Sequence, residues 1–239
     1  MTPGLVLLSV EQACAKVASR GIVIYPTETL WGVGGNACVP EVASRIRVAK
    51  GGALEGRPFP VLVDRVERLA DVVRGSVPGL GLLVRRFWPG GLTLAVPTDH
   101  PGLCAACGQD GRVAFRLSAD PVACALAAAC GGFLISTSAN FSGKAPPETL
   151  ETLDPAFAAL TDGVVPARAD VRTDEAGTDA PATGAGSGAP AATAVAGDRA
   201  RSTASTLLSY ESGQWRLVRQ GAVPLAALAD LVPMTGGPK

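Results

Sequence analysis

A chain of 239 residues with 47% hydrophobic and 18% charged residues can bury a sizeable core, which excludes wholesale disorder. Its 21 Lys and Arg balance its 21 Asp and Glu, so it lacks the basic field of a protein that coats nucleic acid. No run approaches the ~18 apolar residues of a membrane span, and MTPGLVLLSV has no basic region ahead of its short apolar run, so a soluble, cytoplasmic protein without membrane contact is expected. One histidine (His100) argues against His-based triads and clustered histidine metal sites. Six cysteines are too sparse for a disulfide scaffold, and the single C-x-x-C, Cys104 and Cys107, has no partner pair, so it reads as small residues filling a loop and no resident metal is expected.

Ser9 and Gln12 make a capping-box pattern, and Val10, Cys14 and Val17 recur at helical spacing up to Gly21, which reads as a C-cap. Ile22 to Tyr25 is a buried strand, ended by Pro26. Thr27, Glu28 and Thr29 then put two hydroxyls and a carboxylate at a strand's carboxyl end, where open α/β sheets place ligand crevices. With Gly32, Gly34 and Gly35 following, the loop reads either as an ordinary glycine-rich turn or as a binding loop.

Pro40 opens a second helix, with Val42, Ile46 and Ala49 inward and Arg45 and Arg47 outward. It delivers Lys50 into KGGALEGRP, a loop long enough to close over a ligand and ending at Arg57 and Pro58. PFPVLV (58 to 63) is a strand, and Asp64 is expected to cap a helix carrying Val66, Leu69, Ala70 and Val73. A helical segment from Leu80 to Phe87 stops at Trp88-Pro89-Gly90-Gly91, before a strand from Leu92 to Val96. From Arg112 to Leu117 the chain alternates, with Arg112, Ala114 and Arg116 on one face; the two guanidiniums mark either a solvated strand face or a cationic site.

A small-residue helix from Pro121 to Cys130 precedes a strand from Phe133 to Ile135. Ser136, Thr137, Ser138, Asn140 and Ser142 then crowd before Gly143, as a well-made turn or as a phosphate cradle of hydroxyls and N–H groups. Residues 166–199 are dominated by Ala, Gly, Pro, Thr and Asp and lack aromatics, so they are expected to be a disordered insertion in one domain of 1–165 and 200–239. Two strands, around Thr206 and Trp215, and a short helix from Pro224 with a frayed end complete the chain.

In chain order, YPTETLWGVGGNA, the lysine loop ending RPFPVLV, WPGGLTLAVP, RVAFRL, STSANFSG, and STLL with LVRQGAV resemble the YrdC/TsaC family of threonylcarbamoyl-AMP synthases, over roughly residues 8 to 223. The resemblance implies one twisted, mostly buried mixed α/β sheet flanked by helices and opening into a large cavity. It also implies a nucleotidyltransferase that converts L-threonine, bicarbonate and ATP, with Mg²⁺ on the polyphosphate, into threonylcarbamoyl-AMP and pyrophosphate. Downstream machinery would use that product to make threonylcarbamoyl-adenosine in tRNA. Such chemistry needs alignment and charge neutralisation more than a histidine base.

Carried over by motif, Thr29, Arg116, Ser136 and Ser205 match substrate contacts, Arg116 pairing with the amino acid's carboxylate, and Trp31 walls the pocket. Lys50, Ser138 and Asn140 match the elements around the phosphates, and Arg219 matches a nucleotide contact. Arg57 and Arg112 join them as available ATP-binding cations, and Lys50, Arg57, Ser138 and Asn140 form the expected catalytic set. Two departures stand out: the family's K-x-R arginine is replaced by Gly52, for which Arg57 is the available substitute, and Leu62 occupies the place of a histidine that some members carry. An RNA-binding module of the same fold, with weak tRNA affinity and no catalysis, and a carbamoyl-transfer domain are the alternative readings.

Overall fold

The computed structural model describes residues 5–52, 57–167 and 204–235. The expected insertion at 166–199 and the middle of the lysine loop therefore lie almost wholly outside the described residues.

The first helix, α1 (Val10–Ala18), opens with the expected capping box: Ser9 Oγ accepts from Gln12 N, and the Gln12 side chain accepts from Ser9 N. Its end differs from expectation, because Ser19 is the C-cap and Arg20, not Gly21, takes the left-handed conformation (φ 65°). Strands β1 (Val23–Tyr25) and β2 (Gly32–Gly34) follow, then α2 (Pro40–Ala49), which buries Val42, Ala43, Ile46 and Ala49. Ile46 is fully enclosed, and truncating such a side chain to alanine costs about 2–5 kcal/mol.

Next come β3 (Val61–Val63), α3 (Arg68–Val72), α4 (Leu80–Phe87) and β4 (Leu92–Pro97). Asp64 does not cap α3: its carboxylate instead takes the guanidiniums of Arg65 and Arg68, both at 2.9 Å. The Cys104 and Cys107 segment is a helix, α5 (Pro101–Cys107), rather than a loop. Pro101 at its first turn and His100 Nδ1, which accepts from Leu103 N, start it, and both cysteines are free thiols.

The remaining elements are β5 (Arg112–Leu117), α6 (Pro121–Ala129), β6 (Phe133–Ile135), β7 (Thr137–Ser138), α7 (Pro155–Ala158), β8 (Thr206–Glu211), β9 (Gln214–Arg219), α8 (Leu225–Ala229) and β10 (Met234–Thr235). Three of these were not expected: β7, where a turn or a phosphate cradle was read, the one-turn helix α7, and β10, a two-residue edge strand parallel to β9.

Seven strands form a mixed sheet in the order β10-β9-β8-β4-β5-β3-β6, flanked by helices. The opening strand stands apart from it, in a three-stranded sheet β1-β2-β7. The two sheets are tied where Ile135 N donates to Gly35 O and Ala37 N to Phe133 O. Gly34 permits this seam, since a Cβ there would lie 1.8 Å from Ile135 O. One apolar cluster runs from Ile22 and Val33 through Phe59, Phe115 and Leu208 to Trp215; a smaller one sits beneath α1 and α6. Among the described residues no helix is long and apolar enough to cross a membrane.

Candidate active site

A hollow of about 280 Å³ opens where the loop after β1 meets the large sheet. Thr27, Thr29, Leu30, Trp31 and Gly32 form one wall, Arg57, Pro58, Phe59 and Pro60 a second, and Ser136, Thr137 and Ser138 a third. Thr93 and Arg116 enter from β4 and β5, and Ser205, Leu207 and Arg219 close it from β8 and β9. Three strand ends and two loops, distant in sequence, thus bring Thr29, Trp31, Arg57, Arg116, Ser136, Ser138, Ser205 and Arg219 together.

Arg116 is held in detail. Its Nε donates to Gly90 O at 2.9 Å and its Nη1 to Thr29 Oγ1 at 2.9 Å. Nη2 lies 2.6 Å from Glu28 Oε1 as an ion pair, and no aligned hydrogen bond satisfies this nitrogen. Thr29 is in turn fixed by Thr27, whose hydroxyl donates to Leu30 O at 2.6 Å and lies 3.1 Å from Thr29 Oγ1. Desolvation pushes the Glu28 carboxyl up, but the Arg116 charge and the Ser118 hydroxyl outweigh it and hold the group below the usual carboxylate range.

Across the hollow, Arg219 curls back on Ser205: Nε and Nη2 donate to Ser205 O at 3.1 and 2.9 Å, and Nη2 reaches Ser205 Oγ at 3.2 Å. Ser205 Oγ shares a 2.7 Å hydrogen bond with Thr93 Oγ1. Desolvation first, and the Arg116 charge second, draw the Arg219 guanidinium below its ordinary value, so the two cations sense one another across the space.

Lys50 and Asn140 stand behind this wall rather than on it. Lys50 is 4% exposed, and its Nζ donates to Ser138 O at 2.6 Å and Asn140 O at 2.8 Å, bracing the STSAN stretch. Burial lowers its ammonium to about 8. Asn140 Nδ2 donates to Phe141 O and Lys144 O, while Asn140 Oδ1 and Ser142 Oγ are buried without a hydrogen-bond partner. Gly51 and Gly52 leave α2 with φ of 86° and 74°. A side chain at Gly52 would be strained there.

Arg112 falls elsewhere. It lines a second hollow of about 320 Å³ with Asp110, Glu211 and Arg216, separated from the first by Pro58 and Leu207, which border both. Its Nη2 lies 3.5 Å from Asp110 and 3.7 Å from Glu211.

Sequence reasoning did not single out Thr93, although a polar residue between Leu92 and Leu94 on a buried strand marks a position on the opposite face from the core. Glu28 was noticed only as part of the loop, since nothing local reveals its pairing with a residue 88 positions later. No group of three or more His, Cys, Asp or Glu able to hold a metal occurs among the described residues.

The family model for Sua5/YciO/YrdC proteins, described as "Telomere recombination", matches residues 16–178. The threonylcarbamoyl-AMP synthase of Xanthomonas oryzae pv. oryzae is 35% identical over 166 residues, covering 66% of this chain and 86% of that protein. The Halorhodospira halophila protein of the same name is 33% identical over 170 residues, covering 70% and 86%. In structure, P. abyssi Sua5 complexed with L-threonine superposes with a TM-score of 0.74 at 22% identity, covering 96% of this chain; the chain spans 61% of that protein. The chain belongs to the Sua5/YciO/YrdC family.

Proposed function

We propose that the chain is an L-threonylcarbamoyladenylate synthase, a nucleotidyltransferase that forms threonylcarbamoyl-AMP and pyrophosphate from L-threonine, bicarbonate and ATP. The observation that carries this reading is the convergence of Arg116, Arg219 and Arg57 with the hydroxyls of Thr29, Ser136, Ser138 and Ser205 on one hollow. Anionic substrates need such cations, and fixed hydroxyls set their orientation. Relatives named for the same synthase activity support it.

In this reading the amino-acid carboxylate docks on Arg116 beside Thr29, and Ser136 and Ser205 orient its remaining polar groups. The substrate amine adds to bicarbonate with loss of water, giving a carbamate. A carbamate oxygen then attacks the α-phosphorus of ATP; the new P–O bond forms as the bond to the pyrophosphate oxygen breaks. Arg57 and Arg219, both lining the hollow, neutralise the developing negative charge, where fixed cations lower the barrier without covalent help. Lys50 contributes by holding Ser138 and Asn140 in place.

Mg²⁺ would be brought in on the polyphosphate; Asn140 Oδ1 and Ser142 Oγ, buried behind the Ser138 wall and outside the hollow's lining, do not fit as its ligands. When bound, that ion would neutralise phosphate charge. The product would pass to a tRNA-modifying transferase. Pyrophosphate release by purified protein with ATP and bicarbonate, with and without L-threonine, tests the proposal: release that depends on L-threonine is expected, and release indifferent to it rejects the assignment.

A further inference from the structure

Glu28 does not border the hollow, yet it touches the residue on which the amino-acid reading depends. Arg116 is 6% exposed, and a guanidinium so enclosed needs a counter-charge or it must move. Glu28 supplies that charge from the side away from the hollow, with its own side chain 26% exposed.

The carboxylate is itself tethered. Ser118 Oγ donates to Glu28 Oε2 at 2.5 Å, and Ser118 is 1% exposed. Ser118 lies two residues beyond Arg116, just past the end of β5, so Glu28 bridges two side chains of one short stretch. Gly90 O and Thr29 Oγ1 take the Nε and Nη1 sides of the guanidinium. Nη2 is buried against Glu28, so Glu28 occupies the third side of the guanidinium. A planar fork gripped from three directions has a fixed orientation where Arg116 lines the hollow, and Nη1 carries a second N–H beyond the one given to Thr29.

Resting on the proposed function, we propose that Glu28 is the positioning residue for Arg116: anchored by Ser118, it fixes the orientation in which the guanidinium lines the hollow and meets the amino-acid carboxylate. It does not touch substrate; it acts through Arg116. Because the carboxylate is accepted by the fork and not by Glu28, the effect falls on the amino acid and not on ATP.

Calorimetric binding of L-threonine and half-saturation in pyrophosphate release, measured on wild type, Glu28→Ala, Glu28→Gln and Ser118→Ala, test this. Loss of the brace in Glu28→Ala weakens L-threonine binding about 10-fold or more and leaves ATP half-saturation unchanged, the size expected when a binding group is misplaced by a fraction of an ångström or more. Glu28→Gln keeps an oxygen of the same reach beside Nη2 and recovers most of the loss, and Ser118→Ala gives a smaller loss of about 3-fold. A melting temperature for each variant separates misfolding from misplacement.

Unchanged or tighter L-threonine binding in folded Glu28→Ala overturns the proposal, as does an equal loss for ATP. So does a Glu28→Gln variant as weak as Glu28→Ala, which would assign the effect to charge and not to orientation. If wild type binds L-threonine but releases no pyrophosphate, the synthase reading fails while the binding comparison still decides the role of Glu28. If wild type does not bind L-threonine, both fall.

Discussion

Arg112 and Arg116 project from the same face of β5, about 13 Å apart along the strand, and differ in how completely their charge is spent. Arg112 sits with Arg216 among Asp110 and Glu211, two cations beside two carboxylates in a half-open hollow. Arg116 shares its hollow with Arg219 and faces a single carboxylate, which reaches it from outside that space. The strand offers both arginines equally; the surroundings decide which retains the capacity to grip an anion.

Substituting each arginine is the harshest trial of that contrast. Arg116→Ala is expected to lower L-threonine-dependent pyrophosphate release by at least ~10²-fold, the loss typical of a preorganised charge contact, whereas Arg112→Ala stays within about 3-fold of wild type. A reversed result would transfer the active role to the second hollow. Next in size, Arg57→Ala should raise the ATP half-saturation about 10-fold and leave that for L-threonine alone, because Arg57 enters the hollow from a different segment than Arg116 and Thr29.

A third trial reads buried charge directly. Burial lowers Lys50 to about 8 from its ordinary 10.5, so the unfolded chain binds more protons between those values and the native state gains stability as pH rises through them. The wild type should therefore gain stability relative to Lys50→Met when denaturation midpoints at about pH 7 and about pH 9.5 are compared; a parallel course for the two proteins would show that the ammonium is not enclosed.

The gentlest trial addresses the spent cluster. Glu211→Gln should cost under about 1 kcal/mol, as for partly exposed ion pairs, and alter neither substrate's half-saturation. The Arg216 and Ser209 side chains hold the Glu211 carboxyl below its ordinary value of 4.5. That contribution is present above this value and disappears as pH falls through the lower native one, so acid titration of the stability difference provides the check.

Much of the site was legible because its residues recur at strand ends. The alternation from Arg112 to Leu117 correctly placed both arginines on one face, and the hydroxyls of Thr29, Ser136, Ser138 and Ser205 could be read from their local stretches. The sorting of the arginines could not, since Glu211 lies 99 positions after Arg112 and Glu28 lies 88 before Arg116. Lys50 was visible as a lysine entering a glycine loop, but its turn inward to two carbonyls beyond Phe133 depends on how β7 docks on β2. The helices were read well where an apolar period and a cap agreed, as in α1; α5 was missed because its glycine and small residues carry almost no period, although His100-Pro101 was a usable start signal. Asp64 misled for the opposite reason: a good capping residue was claimed by two arginines.

Among the described residues, Pro58 and Leu207 alone border both hollows. Because the Leu207 side chain lines both, shortening it is expected to widen the passage between neighbouring chambers along the sheet. The scaffold thereby holds spare length in reserve, available to any descendant, natural or engineered, that must accommodate a bulkier guest.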